Sequence, residues 1–270
     1  MTENSQKPSV LIDVKDLNSG YGDRQVLYDI NLSVNDGEIL VIMGGSGSGK
    51  STLLKNMLGL KEPSDGRVLV HGLDLSNASQ SELLKLRRST GVAFQGGALL
   101  SSLSVGDNIK LPLRQHTDLD ENTISIMTRL KLELMSLADC EDLMPSELSG
   151  GMLKRAGLAR AVIMDPKILF FDEPSAGLDP VTSVELDQLI LKLRKAMNMT
   201  IVVVTHELES AFTIADRIAV LADGELVTTG SVDEIKACTD KRVANLINRS
   251  PRDVQIDAEK YLSRLTKGAK

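Results

Sequence analysis

The chain has 270 residues, of which 42 % are hydrophobic and 25 % charged, with a net charge of −6 at neutral pH. That length supplies the core of one α/β domain carrying a small lobe, the negative balance argues against a nucleic-acid binder, and no apolar run approaches the ~18 residues of a membrane span. Cys140 and Cys238 stand far apart without metal-ligand spacing, so reduced structural thiols and no disulfide are expected.

The polar start Met1-Thr2-Glu3-Asn4-Ser5 lacks the apolar segment of a secretory leader, and a cytoplasmic chain is expected. Residues 10–14 and 30–34 alternate or nearly alternate in polarity, and Asn35-Asp36-Gly37 reads as a turn, so an antiparallel β-lobe is predicted to open the protein, with residues 67–72 belonging to it. The apolar run 39–43 then reads as a buried strand feeding the loop Gly44-Gly45-Ser46-Gly47-Ser48-Gly49-Lys50-Ser51, with a helix-forming stretch from Thr52 onward. Glycines let successive backbone N–H groups converge on a phosphate at the helix N-terminus, Lys50 supplies a point charge, and the Ser51 hydroxyl a ligand for magnesium.

From about residue 95 to 165 the pattern turns helical. It closes on Leu148-Ser149-Gly150-Gly151, where Ser149 stands at a helix N-cap and the two glycines expose backbone N–H groups, a second anion cradle. Residues 168–171 read as a buried strand that ends in Asp172 and Glu173, and adjacent carboxylates there can divide the work, one holding magnesium and one facing a nucleophile. Residues 201–204 form a further buried strand delivering Thr205-His206, and 217–225 a hairpin. Lys50, Asp172, Glu173 and His206 all fall at carboxyl ends of strands, where ligands gather in open parallel sheets. His71 and His116 lack a partner motif and read as structural or surface residues.

With these motifs in this order the chain resembles the ATP-binding subunit of an ABC transporter, over about residues 10 to 240. Residues 44–51 look like Walker A, continued by Thr52; Gln95 is similar to the Q-loop glutamine, 148–152 to the signature, 170–173 to Walker B with its catalytic glutamate, 175–179 to the D-loop and His206 to the switch histidine. Tyr21, between glycines, resembles the aromatic residue that stacks on adenine. The resemblance implies a P-loop core with an N-terminal antiparallel β-lobe and an inserted helical subdomain: a cassette over 8–240, the insert at about 95–165, and an extension over 241–270. It implies ATP and Mg2+ as cofactors, with Lys50, Glu173 and His206 catalytic and Ser51, Gln95 and Asp172 at the metal. Tyr21, residues 44–52, Gln95, Ser149, Gly150, Gly151 and Asp179 would contact ATP. It also implies a head-to-tail dimer in which the signature of one copy completes the site of the other, docked on a transmembrane permease.

Within that family the segment Gly91-Val92-Ala93-Phe94-Gln95-Gly96-Gly97-Ala98-Leu99-Leu100, with Leu111-Pro112-Leu113-Arg114 downstream, is similar to the Mla-type ATPases that energise phospholipid transport between bacterial membranes. Most signatures end in Gln; Met152 stands here, and its side chain cannot make the amide's hydrogen bonds, so it is left out of the site. The closer resemblance implies a small STAS-domain subunit and an MCE-type substrate-binding protein as partners, at the cytoplasmic face of the inner membrane. An importer for another solute is the alternative, and a soluble non-transport ATPase a lesser one. Residues 240–270 hold eight Lys or Arg against four Asp or Glu, with Val243, Leu246 and Ile247 on one helical face and Tyr261, Leu262 and Leu265 on another, which suggests an arm reaching the second subunit.

Overall fold

The computed structural model describes residues 9–248. Two long strands, β1 (Val10–Tyr21) and β2 (Arg24–Asn35), form an antiparallel hairpin whose alternate side chains Ile12, Val14, Ile30, Leu32 and Val34 are buried. The chain then enters a second sheet as β3 (Ile39–Gly44), continues into α1 (Lys50–Met57), and returns to the first sheet as β4 (Asp65–Val70) and β5 (Leu73–Asp74). The first sheet has the order β2-β1-β4-β5 and is antiparallel throughout, as its alternation requires.

A capped helix, α2 (Gln80–Arg88), leads into β6 (Thr90–Ala93), a strand the sequence reading did not anticipate. The helical insert follows: α3 (Val105–His116), which runs on through Pro112, α4 (Glu121–Leu134), two 3-10 turns at Ala138–Cys140 and Pro145–Glu147, and α5 (Gly150–Ala161). The remainder alternates: β7 (Ile168–Asp172), α6 (Pro180–Met197), β8 (Thr200–Thr205), α7 (Leu208–Ile214), then the hairpin β9 (Arg217–Ala222) and β10 (Glu225–Gly230), and finally α8 (Val232–Lys236) and α9 (Lys241–Ile247). The second sheet has the order β10-β9-β3-β8-β7-β6, parallel except for the closing hairpin.

The runs 39–43 of β3, 168–171 of β7 and 201–204 of β8 are apolar without interruption because both faces of the sheet are covered. Ile39, Val41, Met43, Leu169, Phe171, Ile201 and Val203 face the helices, whereas Leu40, Ile42, Ile168, Phe170, Val202 and Val204 face the antiparallel lobe and α1. The two sheets also meet at their edges, where the Tyr28 amide donates to the Gly224 carbonyl at 2.9 Å. A Cβ on Gly224 would lie 2.3 Å from the Val26 carbonyl oxygen, and its φ of 85° is left-handed, so the β9–β10 turn admits only glycine there.

Beyond residue 240 the first apolar stripe of the extension is used at home: Val243 is fully buried, and Leu246 and Ile247 pack on the same helical-side core. Residues 249–270, with Tyr261, Leu262 and Leu265, lie outside the described residues. Met152 likewise packs on that core.

A buried amide ties the first helix of the insert to the loop that leads into it. Asn108, on α3 and fully buried, donates to the carbonyls of Leu100, Leu103 and Ser104 at 3.0, 3.1 and 2.9 Å and accepts from the Leu100 amide at 2.7 Å. It thus fixes the loop that follows β6. Asn108→Ala removes this partner from the Leu100 amide and the Leu103 carbonyl, whereas the Leu100 and Ser104 carbonyls keep the Leu103 and Asn108 amides, and we expect a loss of about 1–2 kcal/mol, seen as a fall in Tm of roughly 2–8 °C by calorimetry.

Candidate active site

The glycine loop 45–49 connects the end of β3 to α1, and its geometry demands its glycines at two positions. A Cβ on Gly44 would lie 2.4 Å from the Leu221 carbonyl oxygen and 2.5 Å from the Ser48 hydroxyl, while Gly49 caps α1 with φ 102°. No side chain caps α1 and no acidic residue occupies its first turn, so the free N–H groups and the positive helix end face the loop. The Lys50 ammonium arches back over it, donating to the carbonyls of Gly44 at 2.8 Å and Gly45 at 3.1 Å. Thr52 is buried beneath the loop and Ser51 exposed beside it.

Asp172 ends β7, and the residue after it turns sharply. Glu173 has φ 51°, a left-handed conformation costly for any residue with a Cβ, pinned by donation of its amide to the Val204 carbonyl at 2.8 Å. The bend sends its carboxylate sideways along the sheet. One oxygen lies 3.9 Å from Lys50 Nζ and the other 2.8 Å from His206 Nδ1, with the His206 amide donating to it at 3.3 Å. Lys50, Glu173 and His206, drawn from three strand ends, therefore meet in one cluster.

Electrostatics there run against both charges. Burial lowers the Lys50 pKa, opposed by attraction to Glu173 and Asp172; burial first and Glu173 second raise the Asp172 carboxyl above the ordinary aspartate range, opposed by Lys50. A divalent cation would relieve that carboxyl, and the neighbouring donors are the oxygens magnesium prefers. Among the described residues no group of three or more His, Cys, Asp or Glu side chains is placed to hold a metal ion.

The other residues singled out by the sequence are placed around this cluster. Gln95 is exposed two residues past Ala93, which pairs with Phe171 beside Asp172. Tyr21 ends β1 with its ring 49 % exposed, Lys61 Nζ 4.5 Å and Lys55 Nζ 5.9 Å from the ring centre, and the phenol held below its usual pKa chiefly by the Thr52 side chain. Ser149 caps α5, accepting from the Met152 amide at 3.3 Å, with Gly150 open to solvent beside it. No contact joins that turn to Lys50 or His206 among the described residues. Asp179 has a duty of its own: its carboxylate caps α6, accepting from the amides of Val181 and Thr182 at 3.1 Å each and from the Thr182 hydroxyl at 2.5 Å.

Sequence reasoning missed three features. Asn108 and Lys154 look like ordinary helix residues, and only the positions of the carbonyls around them reveal their tasks. The third, the left-handed bend at Glu173, has a weak signal in the proline that follows it, since Pro disfavours the right-handed helical region for the residue before it.

Comparison with known proteins places this geometry. The family described as "ABC transporter" matches residues 27–176. The chain is 40 % identical to the intermembrane phospholipid transport system ATP-binding protein MlaF of Haemophilus influenzae, over 94 % of this chain and 98 % of that one. Among solved structures it resembles cbiO1 from Clostridium perfringens, part of the ABC transporter complex cbiONQ, with TM-score 0.78 and 30 % identity over 94 % of this chain and 99 % of that one. It also resembles the ATP-binding cassette MJ0796 in a dimeric post-hydrolysis state bound to ADP and Pi, with TM-score 0.75 and 31 % identity over 82 % and 98 %.

Asp172→Asn tests the charge balance. A raised carboxyl favours folding below its unfolded pKa and loses that contribution as pH rises through the folded value. The variant without nucleotide should therefore be at least as stable as wild type at pH 7, with the gap closing below about pH 4. Its magnesium-dependent nucleotide affinity should fall, which titration with and without the cation measures.

Proposed function

Because this chain belongs to the ABC transporter family, we propose that it is the ATP-hydrolysing subunit of a bacterial transporter that moves phospholipid between the inner and outer membranes. The observation that carries the cargo assignment is the likeness, across nearly the whole of both chains, to an ATPase of intermembrane phospholipid transport. The hydrolytic chemistry is carried by the meeting of Lys50, Glu173 and His206 beneath an open helix N-terminus.

Phosphoryl transfer asks a protein for positioning and charge stabilisation more than covalent chemistry. The backbone of residues 44–49 cradles the β-phosphate, Lys50 and His206 address the γ-phosphate, and Glu173 orients the attacking water. Ser51, Gln95 and Asp172 hold Mg2+ directly or through water; the cation neutralises charge that develops on the phosphates. Tyr21 takes the adenine through its exposed ring. Thr52 supports the loop from the first turn of α1. Asp179 contributes by holding the start of α6.

The turn at Ser149, Gly150 and Gly151 faces solvent on the helical insert, and we assign it to the ATP of a second copy in a head-to-tail dimer. The dimeric form of the similar cassette supports that reading. A cleft of about 180 Å3 lined by Leu60, Leu86, Val92 and Phe94 opens beside the post-β6 loop, with Phe94 42 % and Leu100 46 % exposed. Exposed apolar surface of this kind suits the cytoplasmic helix of a permease. Among the described residues no helix is long and apolar enough to cross a membrane, so we place the subunit peripherally on the inner membrane through that permease. A small STAS-domain subunit and an MCE-type substrate-binding protein complete the proposed assembly.

Glu173→Gln should lower ATP turnover at least tenfold, about 1.4 kcal/mol or more in barrier, while ATP stays bound. Lys50→Ala should instead weaken nucleotide binding. Retained turnover in the first or normal affinity in the second removes that residue from its role. The cargo is tested by reconstituting the full transporter between two populations of vesicles: ATP-driven transfer of labelled phospholipid supports the reading, and an active ATPase that moves only a water-soluble solute refutes it.

Coupling has its own readout. Phe94→Asp and Leu100→Asp should abolish transport while basal hydrolysis persists. Wild-type transport in both variants excludes this surface as the permease dock.

A further inference from the structure

Lys154 lies on the first turns of α5, directly after the exposed Ser149-Gly150-Gly151 turn. Its ammonium crosses to the loop that follows Glu173 and donates to the carbonyls of Pro174 at 2.6 Å and Ala176 at 2.5 Å. These carbonyls bracket Ser175, which is 5 % exposed. Burial lowers the pKa of the ammonium, and attraction to Glu173 opposes that. The same end of α5 touches the far side of that loop, since a Cβ on Gly151 would lie 2.7 Å from Thr182 Cγ2, and Thr182 is bonded to Asp179. One helix end thus grips residues 174–182 at both ends.

The grip joins two places that belong to different nucleotides. In the dimer proposed above, on which this inference rests, Ser149 and Gly150 meet the ATP held by the other copy, whereas Glu173 serves the ATP of its own. We propose that Lys154 is a positioning residue for hydrolysis, a clamp through which seating of the second copy's nucleotide on the Ser149-Gly150 turn sets the loop that carries Glu173. The chemistry favours lysine: an ammonium offers three donors to two carbonyls and keeps an electrostatic hold on Glu173, and its flexible four-carbon stem spans the gap between helix and loop. An apolar side chain of like length would leave both carbonyls without that donor and the carboxylate without that cation.

The experiment uses the full-length chain in its transporter, measuring kcat, KM and cooperativity in ATP, equilibrium ATP binding, and Tm. Lys154→Met should lower kcat at least about tenfold and flatten the cooperativity, while ATP affinity stays within about twofold. Lys154→Arg, which keeps charge and donors, should recover turnover to within about threefold of wild type. If Lys154→Met folds poorly, with Tm down by more than about 5 °C, Lys154→Gln takes its place under the same criteria. Wild-type turnover and cooperativity in the neutral variant overturn the clamp, as does a loss of ATP affinity in step with kcat or an arginine variant no better than the neutral one. Glu173→Gln run alongside separates the two readings: if it keeps its turnover the site assignment fails, and if it is inactive while the neutral Lys154 variant is normal only the clamp fails.

Discussion

Two carboxylates in sequence at the end of a buried strand repel each other, and the left-handed bend at Glu173 decides where the second one points. Extended backbone would have sent the second group to the opposite face of the sheet from the first. With φ 51° at Glu173 the second group swings toward Lys50 and His206, while Asp172 stays beside α1 with its carboxyl raised. The strain costs on the order of 1–3 kcal/mol, and the amide bond to Val204 together with the packed β7–β8 pair holds it in place. Lys50 is the counterweight to both carboxylates, so substitutions among these residues should not behave additively.

Around that fixed centre the molecule divides into a rigid platform and an attached lobe. The platform is the double-sided parallel sheet, with the antiparallel lobe clipped to it through Gly224 and Tyr28. The lobe is gathered on α5, which meets the post-β6 loop at close quarters: a Cβ on Gly157 would lie 2.6 Å from the Gly97 carbonyl oxygen, and Arg160 donates to that same oxygen at 3.2 Å. Gln95 stands between these bodies, ahead of Gly97 and behind the last sheet residue.

Much of this is legible in the amino-acid sequence, for identifiable reasons. The parallel strands announce themselves as unbroken apolar runs because helices and lobe cover both faces, and the glycine loop is readable because its φ values and close contacts at Gly44 and Gly49 permit no other residue. The grouping of Lys50, Glu173 and His206 follows from their strand-end positions. Strand β6 was hidden because Thr90-Gly91-Val92-Ala93 is short and contains a glycine, and an edge strand needs little pattern when its neighbour supplies the register. Asp179 shows the opposite limit: its motif position does not reveal that its carboxylate caps α6. A side chain's hydrogen-bond partners depend on local turns that spacing does not encode.

The strand order has a consequence for the birth of the protein. Strand β3, which ends in Gly44, is flanked in the sheet by β8 and β9, so its partners are Thr200–Thr205 and Arg217–Ala222, more than 150 residues further along the chain. Until they emerge, a six-residue segment without a single charge, Ile39–Gly44, has no lateral partner and no finished layer above it. The hairpin of β1 and β2 with β4 can assemble early from local pairings, but parallel pairing across so great a sequence separation is slow and leaves apolar edges open to other chains. During synthesis the strand that leads into the glycine loop therefore stays without its sheet partners until most of the chain has been made.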